Sequence, residues 1–311
     1  MRVLVTGGFG YLGGRIAKFL LDEGYDIVLG SRMKKSVPQW AAKANVVSLD
    51  WEDDNLLRKV CSGVGSIIHC AGMNARDCAL DPVSALKFNG VATSKLVRAC
   101  KETRVSKLVY LSTAHVYSSQ LMGKITEETC PSNKHPYATT NLAGENALLN
   151  EPNNSEGFSR IILRLSNGVG TPIHKNVDCW DLLVNDLCKQ SVKNKKLIVN
   201  SSRTTQRDFF PINLLGDTIL SILKQDKLND SVINVCSSRG STLEEIANII
   251  CERSKIILDH RPDVEYKSEK KSSEINNLLI SGDLLKKYTA TERNIIDEID
   301  KLLKNCCKWF G

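Results

Sequence analysis

The chain is poor in histidine, a common metal ligand and catalytic base. It has five histidines among 311 residues. His69, His115, His135, His174 and His260 lie far apart, without acidic or cysteine partners at ligand spacing, so the sequence offers no metal site. Aromatic residues are 6% of the chain and prolines number eight, which excludes a proline-rich or aromatic-repeat protein. No apolar run is long enough to span a bilayer. The first apolar stretch is only a strand's length and runs straight into glycines, so it is no secretion signal, and a cytoplasmic protein is expected. Charge of neither sign dominates: 42 Lys+Arg face 35 Asp+Glu, a net +7. That suits an anionic ligand but gives no nucleic-acid footprint. Eleven cysteines are scattered. Only Cys306 and Cys307 are adjacent, and neighbours make neither a useful ligand pair nor a normal disulfide. Reduced, mostly core cysteines are the expectation. No internal repeat or low-complexity tract is present. The lysine-rich residues 267–271 read as a mobile loop, and residues 189–196 as a solvated helix end and loop.

What the chain does have begins at residue 2. Arg2-Val3-Leu4-Val5-Thr6 is a short β-branched run. Gly7-Gly8-Phe9-Gly10-Tyr11-Leu12-Gly13 follows, and a helical pattern opens at Arg15 with Ile16, Phe19 and Leu20. A strand, a glycine turn and a helix are the parts of a dinucleotide-binding unit. Gly7 permits the tight turn, Gly10 lets the backbone approach a pyrophosphate, and Gly13 lets the helix pack closely. The helix N-terminus then offers N–H groups and a positive dipole end to phosphate.

Strands and helices alternate through the first half. Residues 25–29, 46–49, 66–72, 107–111 and 159–165 read as strands. Residues 54–60, 83–104 and 137–149 read as helices. Alternation of this kind implies a parallel sheet covered on both faces. The fold expected is α/β, a Rossmann-like doubly wound parallel sheet with a smaller, interleaved C-terminal substrate lobe. Residues 1–166 form the nucleotide domain, with returning segments near 205–237. Residues 167–204 and 238–311 form the lobe. Residues 291–303 are amphipathic, and Ser241-Thr242 before Glu244-Glu245 marks a helix start.

The strand ends carry the candidate chemistry. The second strand closes Gly30-Ser31-Arg32, where an NAD site usually has a carboxylate for the ribose hydroxyls. A hydroxyl with a guanidinium suits a 2′-phosphate, so NADP(H) is favoured; NAD(H) follows if Arg32 faces solvent. Asp50, before Trp51, is placed to accept from an adenine amino group. Cys70-Ala71-Gly72 are small enough to leave room for a cofactor.

Together these stretches resemble the extended short-chain dehydrogenase/reductase family of nucleotide-sugar epimerases, dehydratases and reductases. Thr6 to Gly13 resembles its cofactor loop, Ile68 to Gly72 its strand-four motif, and Asn89-Gly90-Val91-Ala92-Thr93 its helix-four asparagine motif. Leu111-Ser112-Thr113-Ala114-His115-Val116-Tyr117 is similar to its catalytic strand. Leu163-Arg164-Leu165-Ser166-Asn167 and Arg207-Asp208-Phe209 are similar to its substrate motifs. The resemblance implies that Gly7, Gly10, Tyr11, Leu12, Ser31, Arg32, Asp50, Trp51, Cys70, Ala71, Gly72, Asn89, Tyr137 and Asn141 meet the cofactor. It implies Tyr137 as acid/base, with Thr113 on the same oxygen and Asn141 in the catalytic set. His115 would contact the sugar, and Asn167 and Arg207 its diphosphate. A homodimer or homotetramer through helices 83–104 and 137–149 is implied as well, with no nucleic-acid or membrane partner.

Two departures narrow the chemistry. The lysine expected four residues after the tyrosine is Asn141, on the same helix face. An amide hydrogen-bonds but cannot stabilise a tyrosinate by charge. Either the nicotinamide's own charge does more, or His115, Lys134 or His135 substitutes, or hydride transfer is lost. Retained catalysis is expected, because Tyr137, Thr113 and the glycine loop remain. The acidic pair of the dehydratases is replaced by Ala114-His115, so dehydration is not expected. The reading is an NAD(P)-dependent oxidoreductase of a nucleoside-diphosphate sugar, reducing a ketone or oxidising an alcohol at C4. A 4-epimerase is the alternative, and a non-catalytic NAD(P)-binding protein the alternative of another class.

Overall fold

The protein is described by a computed structural model covering residues 1–154, 157–268, 277–289 and 293–311. Of the lysine-rich loop expected at 267–271, residues 269–271 lie outside the described residues, as do the first two of the expected amphipathic stretch 291–303.

Seven strands build the central sheet: β1 (Arg2–Thr6), β2 (Asp26–Ser31), β3 (Asn45–Ser48), β4 (Ser66–His69), β5 (Lys107–Thr113), β6 (Ser159–Leu165) and β7 (Val232–Val235). Their order is β7-β6-β5-β4-β1-β2-β3, and every pair is parallel. All residues of β4 and β6 are buried, as expected of strands covered on both faces. On one face α1 (Tyr11–Asp22) and α6 (Ile212–Lys224) bury Ile16, Leu20, Leu215 and Ile219 against Val3, Val5 and Ile161. On the other, α2 (Asp54–Cys61), α3 (Ala92–Glu102) and α4 (Pro136–Leu149) bury Leu57, Leu96 and Leu148 against Leu4, Ile67 and Leu108. β1 pairs with β2 on one side and β4 on the other. The strand order therefore reverses at β1, and the crevice outside its carboxyl end is where a doubly wound sheet takes a ligand.

The second lobe has its own core. Helices α5 (Leu183–Asn194), α7 (Leu243–Leu258) and α8 (Ile295–Phe310) pack Leu187, Ile246, Ile250, Ile299 and Leu303 together. Thr242 caps α7 in a reciprocal capping box with Glu245, which the sequence announces. Strands Asn167–Val169, Gln206–Pro211 and Gly240–Thr242 form a three-stranded sheet. Lys196–Ser202 pairs in parallel with Asp263–Ser268, two strands that no sequence pattern announces.

The return to the nucleotide domain starts later than residue 205. Strand Gln206–Pro211 sits in the small sheet, and only α6 and β7 join the central layer. Alternation along the strand explains this: Phe209 fills the lobe core and Phe210 the nucleotide-domain core. Helix α5 starts at Leu183. The expected helix 83–104 is Pro82–Ala85, a π-turn Leu86–Val91 and α3 in succession. Arg15 of α1 ties the lobes, with two donors on buried Glu298 of α8 at 2.7 and 3.1 Å and one on the Thr171 carbonyl at 2.8 Å.

Candidate active site

The glycine turn leaves β1 with Gly7 at φ +64°, a conformation glycine adopts without strain. A Cβ on Gly13 would lie 2.3 Å from the Gly7 carbonyl oxygen. Gly13 therefore serves the close pass of α1 over the turn. Helix α1 starts at Gly10 with no side-chain cap and no acidic residue in its first turn. Its opening N–H groups and positive dipole end are thus left for an anion. The Tyr11 hydroxyl points away from that anion site, donating to the Gly170 carbonyl at 2.7 Å, and burial raises its pKa. Leu12 packs against the core. For both residues, what faces the turn is backbone.

The exit of β4 is held by a network that the sequence reading missed. Thr6 Oγ1 accepts from the Cys70 and Ala71 N–H groups at 3.1 and 3.2 Å and lies 2.7 Å from His69 Nδ1. Thr93 Oγ1 donates to the Asn89 carbonyl at 2.6 Å and lies 3.0 Å from His69 Nε2. Thr93 has one hydrogen, already given to Asn89, so His69 Nε2 carries the proton and Nδ1 accepts from Thr6. His69 is the neutral tautomer, and burial pushes its pKa down to about 3. Asn89 is buried in the π-turn, a distortion often found at functional sites. Its Oδ1 accepts from the Met73 N–H at 2.8 Å and its Nδ2 donates to Thr140 at 3.0 Å. It fixes the Cys70–Gly72 exit against α4, with all its side-chain polar atoms committed to protein. Cys70 and Ala71 are half-buried and Gly72 is exposed.

At the far end of the crevice, Ser31 is half-buried and accepts from the Met33 N–H at 3.3 Å. Arg32 is exposed and lies over the Phe88 ring at 4.6 Å. Asp50 is exposed and accepts from the Glu52 N–H at 2.9 Å. Trp51 is a core residue, edge-on to His69 and Phe88. Its indole N–H is buried without a hydrogen-bond partner among the described residues.

The catalytic candidates meet where β5 ends and α4 begins. Thr113 is the last residue of β5 and is buried. Its Oγ1 accepts from the His115 N–H at 3.1 Å. Burial raises the Tyr137 pKa, against a lowering by Thr113. The phenol therefore holds its proton at neutral pH. Asn141 is buried one turn on, with Oδ1 accepting from the Tyr110 hydroxyl at 3.1 Å and Nδ2 donating to the Tyr137 carbonyl at 2.7 Å. Its amide group is engaged within the protein, and no cation occupies the lysine's place. A second turn on, Glu145 holds Arg164 of β6 with contacts of 2.6 and 3.1 Å, and Ser112 donates to it at 2.5 Å. This fully buried pair fixes α4 to the sheet. The spacing 137, 141, 145 announces one helix face, but not that its third member is ionic.

The mouth of the site is basic. The His115 pKa is lowered, first by desolvation of the ring, then by Arg207, then by His135. His135 caps α4: its Nδ1 accepts from the Tyr137 N–H at 3.1 Å. Asn133 joins the two, donating to the His115 carbonyl at 2.7 Å and accepting from the His135 N–H at 2.9 Å. Arg207 is half-buried, burial lowers its pKa, and it has no carboxylate partner among the described residues. Asn167 donates to the Asp208 carbonyl at 2.8 Å. Asp208 itself is buried and accepts from the Ser237 and Arg239 N–H groups at 2.9 and 3.2 Å. It pins the loop after β7 to the strand carrying Arg207.

A nucleotide cofactor fits this arrangement, because the uncapped helix end at Gly10 wants an anion; the guanidinium of Arg207, without a carboxylate partner among the described residues, would serve a second one. Gly7, Gly10 and the backbone of Tyr11 and Leu12 would hold its pyrophosphate. Among the described residues no group of three or more His, Cys, Asp or Glu is placed to hold a metal, and no helix is long and apolar enough to cross a membrane.

Comparison with known proteins agrees with the crevice. The model of the NAD dependent epimerase/dehydratase family matches residues 3–236. A protein of Bacillus subtilis named as an uncharacterized UDP-glucose epimerase is 26% identical over 271 residues, 80% of this chain and 81% of that protein. The UDP-glucose 4-epimerase of Halalkalibacterium halodurans is 29% identical over 175 residues, 55% of this chain and 52% of that protein. The solved UDP-glucose 4-epimerase of Bifidobacterium longum, in complex with NAD+ and UDP, superposes with a TM-score of 0.82 at 22% identity, covering 99% of both chains.

Proposed function

Because the chain belongs to the NAD dependent epimerase/dehydratase family, we propose that it is an NAD-dependent oxidoreductase of a nucleoside-diphosphate sugar, acting at the C4 alcohol or ketone. The observation that carries this is the Tyr137 phenol, its pKa raised by burial and lowered by Thr113 at the carboxyl edge of β5, together with the uncapped dinucleotide turn. Nicotinamide, when bound, supplies or accepts the hydride. Tyr137 gives its proton to the sugar oxygen in the reductive direction and takes it in the oxidative one, and Thr113 holds the same oxygen. A phenol kept protonated by burial favours reduction at neutral pH. Arg207 takes the diphosphate with its planar donor fork. Asn167 lines the same site through its remaining polar atoms.

NAD is the cofactor proposed. The NADP(H) expectation rests on Arg32, which lies over Phe88, while the Bifidobacterium longum enzyme carries NAD+. Nucleotide released by denaturing the purified protein tests this: NAD(H) supports the proposal, and NADP(H) returns the 2′-phosphate to Arg32.

The curated relatives favour a second reading, C4 epimerisation of UDP-glucose. It uses the same residues in both directions. The two are separated by incubating the protein with UDP-glucose and NAD+. UDP-galactose without net NADH marks the epimerase, and oxidation of NADH by a UDP-4-keto sugar marks the reductase. Asn141 motivates the non-catalytic reading, which stands only if UDP and cofactor bind and neither reaction occurs.

The exposed Val83, Leu86 and Val91 lie in the segment 83–104 expected to meet a second copy, so a homodimer is proposed, working in the cytoplasm.

A further inference from the structure

We propose that residues 173–181 form a strap across the cofactor crevice, fastened to both of its banks, and that nucleotide enters and leaves only when the strap lifts. The inference rests on the nucleotide-cofactor reading above and concerns how that same site is gated. The segment lies between strand Asn167–Val169 and α5. The chain leaves and returns at the head of α1, where the Tyr11 hydroxyl donates to the Gly170 carbonyl at 2.7 Å and lies 3.4 Å from Asn185 Oδ1. Ile173 lies against α1, its Cγ2 3.1 Å from where a Cβ on Gly14 would stand. That is one bank, the helix whose uncapped end faces the anion site. At the far end of the segment Asp181 pairs with Arg76 at 3.4 Å. Arg76 stands on the short helix Ala75–Leu80, which follows the Cys70–Gly72 exit of β4. That is the other bank. A segment tied to both spans the opening between them.

The fastenings differ in strength. The side chains of Arg76 and Asp181 are 77% and 84% exposed, and an ion pair so exposed is worth little. It marks where the strap lies more than it holds it down. Trp180 holds it. Its indole N–H donates to the Lys175 carbonyl at 2.8 Å, which closes the strap on itself. Its ring stands edge-on to Phe310 at 4.9 Å and Trp309 at 6.0 Å, on the last turn of α8. The Lys189 ammonium lies 5.6 Å from the same ring. All these contacts are between protein groups, so the strap lies closed whether or not nucleotide is present. A gate that closes equally on the empty and the filled site changes the rates of exchange and leaves affinity alone.

Stopped-flow fluorescence with NADH as the probe tests this. Association, and displacement by excess NAD+, give the two rate constants. Trp180→Ala should raise both together, each about tenfold, the worth of one aromatic pair, with Kd within about twofold of the parent. Arg76→Glu sets two carboxylates face to face and should raise both rates about threefold. It changes only a surface residue, so it serves if Trp180→Ala is unstable. Arg76→Glu with Asp181→Arg restores the pair and should return both rates to those of the parent. Dissociation rising alone would make Trp180 a nucleotide contact and overturns the strap. So do rates that no variant changes. Failure of the parent protein to bind NADH defeats instead the nucleotide reading beneath it.

Discussion

His69 shows how much one side chain settles here. It is buried, neutral and bonded to threonines of β1 and α3, with a pKa pushed down to about 3. The unfolded chain protonates this residue near pH 6.5 while the folded one does not. Its contribution is present above that pH and is lost as pH falls toward about 3. Stability should drop by about 1.4 kcal/mol per pH unit below 6.5, or about 2 kcal/mol by pH 5. Denaturant unfolding of the protein and His69→Asn should show the variant with a shallower slope by that amount; equal slopes contradict the burial argument. Tyr137 belongs to the same scale. Tyr137→Phe should cut turnover about 10²–10⁴-fold, with UDP affinity kept. A loss of both together would make it a binding residue instead. The tyrosine and Thr113 are legible as a motif. That the neighbouring Asn141 is bonded to Tyr110 is not legible, because the partner lies 31 residues away on another element.

Among the elements, α4 carries the most. Pro136 opens it, His135 caps it, and its 137–141–145 face delivers the phenol, the amide and the buried carboxylate. Its approach to the sheet is close. A Cβ on Gly144 would lie 2.7 Å from the Tyr110 hydroxyl and 2.8 Å from the Asn89 carbonyl oxygen. The Glu145–Arg164 pair fixes that approach, with side-chain exposures of 0% and 6%. Glu145→Ala would strand a buried guanidinium, at a cost of about 3–5 kcal/mol. Glu145→Gln with Arg164→Met should cost clearly less. Urea midpoints decide it, and a single variant as stable as the double would remove the pair from its proposed place. The π-turn at Leu86–Val91 was read as ordinary helix, since periodicity over a long apolar pattern cannot register one inserted residue.

The whole molecule is two cores joined at α1. Tyr11 and Arg15, one turn apart, reach Gly170, Thr171 and Glu298 of the lobe. The helix whose end faces the cofactor crevice thus also holds the lobe that would cover it. A second consequence of the assembly is the apolar stretch 80–91, with Leu80 76% and Val83 67% exposed. Residues so exposed in one segment mark a contact surface. Val83→Glu with Val91→Glu should turn a dimer into a monomer by sedimentation velocity. A wild-type monomer at micromolar concentration would refute the dimer.

The order of strands and helices in the first half, the glycine turn and the residues at each strand end were written in the chain, because burial on both faces and a 3.6-residue period leave local traces. The tyrosine and threonine proposed as catalytic were readable through the resemblance of their stretches to the family's motifs. Tertiary structure alone decided the rest. It sent Phe209 and Phe210 of one strand into different cores. It gave His69 its proton position and Glu145 its arginine. Such pairings depend on contacts between distant parts of the chain, and a hydrogen bond across 50 or 100 residues leaves no period behind it.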